Sequence, residues 1–277
     1  MSSKTVLVGD LHVRGEEPFF GAAKKFLSVI QGITDSDEVN TYIFLGDLFH
    51  RSTPTPKENA LVVEKLLELV QAGKRVVVLN GNHDFNIITR QFTTEVIENL
   101  EGVEVISKPR VLEDGQGIRY FVLPWVPKAA LPEGVESLEE FYTQQVPEKF
   151  SDEIKSCDYL LYHFTDETVF FGPESAGGID LSVYEELNPS IDRWAGDIHL
   201  PDDHYVGTPY PTRYDERKVE QHRVVEVSSQ GSRIFPVPRL IEYVDFRASE
   251  IENFKPDPAV SYILTITEAE SEEAVRR

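Results

Sequence analysis

Three short runs of aliphatic and β-branched residues mark the first third of the chain: Thr5 to Val8, Thr41 to Leu45 and Arg75 to Leu79. Each is nearly continuous in apolar character, which predicts strands buried on both faces rather than alternating surface strands. Between the first two, Phe19, Ala23, Phe26 and Ile30 fall on one helical stripe. Glu16, Glu17 and Pro18 open that helix, since acids suit its positive end and proline fits its first turn. Between the second and third strands, Lys57 to Ala72 puts Val63, Leu66, Leu67 and Val70 on one face. Val62 and Leu69 widen that face, and Gly73 is the expected stop. A stripe so broad has two readings: burial between a sheet and a neighbouring helix, or a homodimer contact.

After about Asn99 the pattern turns to shorter strands separated by glycine turns. They are expected at Val103 to Ile106, Arg110 to Leu112, Ile118 to Leu123, Tyr159 to Tyr162, Ile191 to Ala195 and Arg223 to Val227. Mixed short strands after a βαβαβ start predict an α/β fold of two packed sheets flanked by helices. The segment Pro236 to Pro258, with four prolines, reads as an exit strand and linker. Val260 to Thr267 then reads as a fresh strand and Glu268 to Arg277 as a charged helix, too little to form a core. The expected division is therefore 1–235 for the main domain and 236–277 for the linker and the start of a second unit.

Composition narrows the function classes. With 40% hydrophobic residues, the 277-residue chain can bury a full core. Against 48 Asp+Glu stand 27 Lys+Arg, a net charge of −21. Such a surface does not by itself attract nucleic acid or anionic lipid, unless bound cations supply positive charge locally. Cys157 is the one cysteine, which excludes an intrachain disulfide, a cysteine zinc cage and a redox pair. The apolar patch Val6 to Val8 is broken by Gly9-Asp10, so no signal peptide is read. Nothing approaches the ~20 apolar residues of a membrane span. The chain reads as soluble and cytoplasmic (intracellular, or in the host cytoplasm if phage-encoded).

The chemistry lies at the strand ends. The expected strands are followed by Gly9-Asp10-Leu11-His12, Gly46-Asp47, Asn80-Gly81-Asn82-His83-Asp84, His163 and Gly196-Asp197-Ile198-His199. In α/β sheets the carboxyl ends of strands face the ligand crevice, so these residues are expected to converge. Carboxylates, an amide and imidazoles without thiolate suit Mn, Fe, Zn or Mg. Asp10, His12, Asp47, Asn82, His163, Asp197 and His199 are too many ligands for one ion with an open position. They suit two ions that share a carboxylate and clamp the attacking and leaving oxygens of phosphoryl transfer. His83 is left over, and Asp84 beside it suits a partner that fixes its tautomer for general-acid work.

Together, Asp10-x-His12, Gly46-Asp47, Gly81-Asn82-His83-Asp84, His163 and Gly196-x-x-His199 resemble the signature of the calcineurin-like metallophosphoesterases over about residues 4 to 200. The resemblance implies a four-layer α/β/β/α sandwich with a two-metal centre. By position, Asp10, His12 and His199 would hold the first ion, Asp47 would bridge, and Asn82, His163 and Asp197 would hold the second. His83, paired with Asp84, would donate a proton to the leaving group. The family signature ends Gly-His-x-His, whereas this chain carries Asp197 at the first of those histidines. A third carboxylate there makes the site more anionic and harder, favouring Mn, or Mg, over Zn.

A narrower likeness rests on other residues. Leu45-Gly46-Asp47-Leu48-Phe49-His50 followed by Pro54-Thr55-Pro56, the run Leu123 to Pro127, and Tyr205 to Tyr210 resemble the nuclease subunit of the SbcCD-type recombination nucleases, phage endonucleases among them. That likeness implies 3′→5′ exonuclease and single-strand endonuclease activity on DNA in recombination and repair. It also implies a homodimer, an SbcC-type ATPase partner and the beginning of a C-terminal capping domain. His50, Arg51, Arg14 and Trp125 are the expected DNA contacts. Two alternatives stand beside it: a metallophosphatase or small-molecule phosphodiesterase with the same centre, and a non-catalytic DNA-end scaffold. Ligand-capable residues at every position argue against the scaffold.

Overall fold

In a computed structural model, which describes residues 4–34, 38–167, 178–246 and 254–266, the apolar strands are laid down in the expected order. The chain runs β1 (Lys4–Val8), α1 (Phe19–Val29), β2 (Val39–Phe44), α2 (Pro56–Gln71) and β3 (Arg75–Leu79). The short hairpin strands β4 (Phe85–Asn86) and β5 (Gln91–Phe92) follow, then α3 (Glu95–Glu98), β6 (Val103–Ile106), β7 (Arg110–Glu113) and β8 (Arg119–Leu123). Next come α4 (Leu138–Glu140), a π-helical stretch Phe141–Gln145 and α5 (Val146–Lys155). The order closes with β9 (Tyr159–His163), α6 (Ser182–Leu187), β10 (Asp192–Gly196), β11 (Arg223–Ser228), β12 (Gly231–Pro236), β13 (Ile241–Phe246) and β14 (Ser261–Ile266).

Two sheets stack. One has the order β12-β11-β1-β2-β3-β6, parallel from β1 to β6, and the other β10-β9-β8-β7, parallel from β10 to β8. Side chains alternate across each strand, and that alternation sorts three cores. Leu7, Ile43, Val77 and Val225 of the first sheet meet Leu112, Val122, Leu161 and Trp194 of the second between the sheets. Val6, Val8, Phe44 and Val78 face the other way, onto Phe26 of α1 and Leu66 of α2. Phe121, Leu160 and Tyr162 face outward from the second sheet onto Ile154 of α5 and Tyr184 of α6. These layers are the four of an α/β/β/α sandwich.

Two helix expectations are corrected in detail. In α2 the buried face is Leu61, Val62, Leu66 and Leu69, with Val63 and Val70 packed at its margin and Leu67 half-buried. Its start follows local chemistry: Thr55 and Glu58 form a reciprocal capping box, and Pro56 occupies the first turn. For α1, the acids precede the helix rather than lie in its first turn, and Glu17 Oε2 accepts from the Gly21 N–H at 3.0 Å.

The strand expected at Val260 to Thr267 forms as β14. It pairs in parallel with β13 over Ile241↔Ser261 to Phe246↔Ile266, not with an edge of a large sheet. Tyr243 and Ile263 of this pair pack against the core over α1, and Lys25 Nζ donates to the Ala259 carbonyl at 3.1 Å. The helix expected at Glu268 to Arg277 lies outside the described residues. Among the described residues no helix is long and apolar enough to cross a membrane.

Candidate metal centre

The loops that leave β1 and β2 are zipped together. His12 N donates to the Asp47 carbonyl and Val13 N to that of Leu48, both at 2.9 Å, while His50 N returns to the Val13 carbonyl at 3.0 Å. Asp10, His12, Asp47 and His50 are thereby set side by side. The zip requires unusual backbone: His12 and Asp47 have positive φ, at 45° and 50°, and Asp197, on the loop after β10, has φ 78°. Non-glycine residues there are strained, and such strain concentrates at functional sites. Gly46, at φ 109°, could not be replaced, because a Cβ would lie 2.2 Å from His163 Nδ1. At Gly81 a Cβ would lie 2.1 Å from Asp47 Oδ1.

His163 bridges the two sheets from the end of β9. Its Nδ1–H donates to the Leu45 carbonyl at 2.6 Å, so that nitrogen carries a proton. Its Nε2 then faces Asn82 Oδ1 at 3.1 Å and Asp47 Oδ1 at 3.3 Å. Two oxygens converging on one ring nitrogen need either a second proton or a cation between them. His83 and His199 repeat the arrangement. His83 Nδ1 donates to the His50 carbonyl at 2.9 Å, and His199 Nδ1 to Glu216 Oε1 at 2.5 Å. In all three, Nδ1 is committed to a fixed acceptor and Nε2 is left for the centre, the tautomer a metal ligand requires.

Among the described residues, two groups have ligand atoms within 4.8 Å of one another: Asp10, Asp47 and His163, and His12, Asp47 and His83. Asp47 belongs to both, the position expected of a bridging carboxylate. His12 and His199 meet Nε2 to Nε2 at 2.8 Å. Asp10 Oδ2 is buried with no hydrogen-bond partner. A buried carboxylate oxygen without a donor costs free energy unless a cation satisfies it. The donor set, with its orphaned oxygen and glycine-walled cradle, fits divalent ions.

The electrostatics agree. Burial pushes the Asp10 carboxyl up to about 6, against the pull of His163. Burial also opposes ionisation of Asp47, but His163, His12 and His83 hold it well below the usual carboxylate range. Burial disfavours charge on His163, yet Asp47 and Asp10 push it up to about 10. Burial lowers His12 and, with Arg14, lowers His50 to about 4.

Two expected residues adjoin the centre through other contacts. Asp197, like His199, is in neither ligand group; its Oδ2 accepts from Thr165 Oγ1 at 2.6 Å, and its N–H donates to Asp10 Oδ1 at 2.9 Å. Asp84 is not the hydrogen-bond partner of the His83 ring. Its carboxyl is fully buried and accepts from Gly81 N at 3.1 Å and Phe49 N at 3.3 Å. The physical reason is the turn after Gly81, which leaves the His50 carbonyl as the acceptor for His83 while Asp84 clamps two loops. Burial, with Asp47 nearby, pushes Asp84 up to about 7.

Of the expected DNA contacts, His50 stacks near His83, with ring centroids 6.0 Å apart. Arg51 is exposed and paired with Glu16 at 3.2 Å. Arg14 lies over the Phe19 ring and donates to the Thr212 carbonyl, so its guanidinium is largely committed. Trp125 packs on Phe85 and Phe92 under the β4–β5 hairpin. Glu216 and Thr165 were not legible in the sequence, since neither stands in a motif among 48 acidic residues or the ordinary threonines.

The profile of the calcineurin-like phosphoesterase family matches residues 3–175, more than half of the chain and all but the last of the strand-end clusters. No curated protein matches significantly. Among solved structures, a protein from Thermus thermophilus is 11% identical with TM-score 0.49, over 86% of this chain and 100% of that one. A protein of unknown function from Aquifex aeolicus is 17% identical with TM-score 0.34, over 62% of this chain and 82% of that one. The nuclease MPE of Pseudomonas putida is 19% identical with TM-score 0.32, over 57% and 60%. On the family match, with the sandwich and the paired ligand groups to support it, the chain belongs to the calcineurin-like phosphoesterases.

Proposed function

We propose that this metallophosphoesterase is a DNA nuclease that hydrolyses phosphodiester bonds. The observation that carries the reading is the β4–β5 hairpin beside the centre. A phosphomonoester needs only the ions and a proton donor; a polymer needs a surface beyond them. The hairpin rises directly from Asp84, and Asn86 Nδ2 anchors it to the Ser52 carbonyl at 3.2 Å, on the loop that carries His50. Its base is packed by Phe85, Phe92 and Trp125, and its tip presents Ile87 and Ile88, 81% and 89% exposed, with Arg90 alongside. That tip is an apolar face on which unstacked bases can rest.

Bound divalent ions would supply Lewis-acid stabilisation of the charge that develops on phosphorus oxygens. Asp10, His12, Asp47, Asn82, His163 and His199 would hold them. His83 reaches the same place from the other loop, and with Nδ1 bonded to the His50 carbonyl its Nε2 is free to serve the leaving oxygen of a bound substrate. As the acid it carries a proton on both nitrogens and gives up the one on Nε2. Mn is the proposed ion, on the carboxylate and amide oxygens that accompany the imidazoles.

An SbcC-type ATPase partner belongs to the same reading and rests on the sequence likeness, as does a homodimer, which rests also on the broad apolar stripe of Lys57 to Ala72. With a net charge of −21, DNA binding by this chain alone is expected to be weak and salt-sensitive. The test is cleavage of labelled single- and double-stranded DNA and of bis-p-nitrophenyl phosphate, in Mn or Mg, against p-nitrophenyl phosphate. Activity on the diesters and DNA is expected to exceed that on the monoester. A preference for the monoester, with DNA left intact, would make the protein a phosphatase.

A further inference from the structure

The residue that holds His199 from behind is not part of any motif. We propose that Glu216 is a positioning residue, whose carboxylate fixes the His199 imidazole in its Nδ1–H tautomer and aims Nε2 at the metal centre. Glu216 lies on a single 3-10 turn, Tyr214–Lys218, 17 residues beyond His199. Its side chain is 2% exposed, and Oε1 sits 2.5 Å from His199 Nδ1.

A lone buried carboxylate would be costly, but this one is saturated. Thr212 Oγ1 donates to Oε1 at 2.9 Å and Thr212 N donates to Oε2 at 2.5 Å. With His199, three donors converge on it, which compensates the buried charge and leaves little rotational freedom. The surrounding chain is held as well. Arg14 donates to the Thr212 carbonyl, and Arg217 of the same turn pairs with Asp245 of β13 at 2.9 Å. The carboxylate is thus placed by the fold, and the imidazole has one orientation in which both its nitrogens are used.

An outer carboxylate on a ligand histidine sets the tautomer and makes the outward nitrogen a better donor to a metal. The neighbouring ligand shows why orientation matters here. His12 Nε2 lies 2.8 Å from His199 Nε2. With His199 Nδ1 holding its proton, its Nε2 presents a lone pair, and the two imidazoles can turn toward a shared cation. The inference rests on the metal centre of the family and not on the choice of DNA as substrate.

The experiment uses the full chain with Glu216→Ala and Glu216→Gln, titrated with Mn and followed by the electron paramagnetic resonance of free Mn. Affinity is expected to fall by about 10–100-fold in Glu216→Ala, with a smaller loss in Glu216→Gln, which keeps an acceptor oxygen without the charge. Equal Mn affinity in wild type and Glu216→Ala would overturn the proposal. If Glu216→Ala does not fold, Glu216→Gln decides: weaker binding supports the role and unchanged binding overturns it. A second reading needs no metal. In protein labelled with ¹⁵N-histidine and freed of metal, His199 is expected as the Nδ1–H tautomer, with that preference lost in the variants. An unchanged tautomer overturns the proposal. Failure of the wild type to bind Mn would count instead against the metal centre, and the tautomer would still decide the part played by Glu216.

Discussion

His12 and His199, separated by 187 residues, meet with their Nε2 atoms 2.8 Å apart. Two ring nitrogens at that distance, beside the orphaned Oδ2 of Asp10, make a site whose groups are better satisfied by a cation than by each other. Metal should therefore stabilise the fold. At 100 times its Kd an ion adds about 2.7 kcal/mol. For a domain of this size that is roughly 5–10 °C in Tm. Differential scanning calorimetry with Mn and after chelation checks it; coincident transitions would mean that the centre binds no ion.

His83 separates two roles that its position allows, ligand and proton donor. As the acid it matters most for a poor leaving group. His83→Ala should lower DNA cleavage by about 10²–10⁴-fold. Hydrolysis of bis-p-nitrophenyl phosphate, whose leaving group needs little protonation, should fall much less. Equal losses on both substrates, accompanied by weaker Mn binding, would assign His83 to the metal.

Asp197 and Asp47 should respond differently to the same change. Asp47 stands in both ligand groups, while Asp197 accepts a hydrogen bond from Thr165. Asp47→Asn should abolish high-affinity Mn binding. Asp197→Asn, which suits the positive φ and preserves the acceptor, should leave it within about threefold, well short of the ~10–100-fold expected for an outer partner of a ligand. Loss of an ion in Asp197→Asn would place that residue in the ligand set.

The hairpin tip can be tested without touching the chemistry. Burying about 40 Å² of each exposed isoleucine against a base is worth about 1 kcal/mol, roughly fivefold in Kd. Ile87→Ser and Ile88→Ser should each weaken single-stranded DNA binding by about that factor. Their rates on bis-p-nitrophenyl phosphate should not change. Full DNA affinity in the double variant would remove the hairpin from the substrate path.

Cys157 gives a pH readout far from the centre. Burial pushes its thiol from 9.0 up to about 11. At pH 8 the folded protein should react with a disulfide reagent roughly a hundredfold more slowly than the unfolded chain, since the nucleophile is the thiolate. The folded value is the higher one, so the neutral thiol's contribution to stability is complete below pH 9.0 and is lost as pH rises toward 11. Equal labelling of native and denatured protein at pH 8 would contradict that burial.

The sequence by itself determined the strands that carry the site and most of the residues at their ends. Continuous apolar runs at Val6 to Val8, Ile43 to Leu45 and Val76 to Leu79 have no other low-energy use than strands buried on both faces. Polar clusters placed directly after such strands must emerge at one edge, so Asp10, Asp47, Asn82 and His163 were legible as a group. The helical layer over the second sheet left a weaker trace. Tyr142, Val146, Phe150 and Ile154 recur every fourth residue, but Pro147 interrupts the helical reading, although it is tolerated in the first turn of α5.

Only the tertiary structure decided the hydrogen-bond partners. Whether His83 bonds to its neighbour Asp84 or to the His50 carbonyl depends on a turn that brings chain 33 residues away into contact. Asp197 has its place in a motif, but that Thr165, just beyond the neighbouring strand β9, donates to its carboxylate is set by the fold. Glu216 carries no signal, because an acid becomes a positioning group only when the fold buries it against one imidazole and supplies its donors. Apolar burial is set by pattern along the chain, whereas hydrogen bonds act over about 3 Å and depend on where distant segments come to rest.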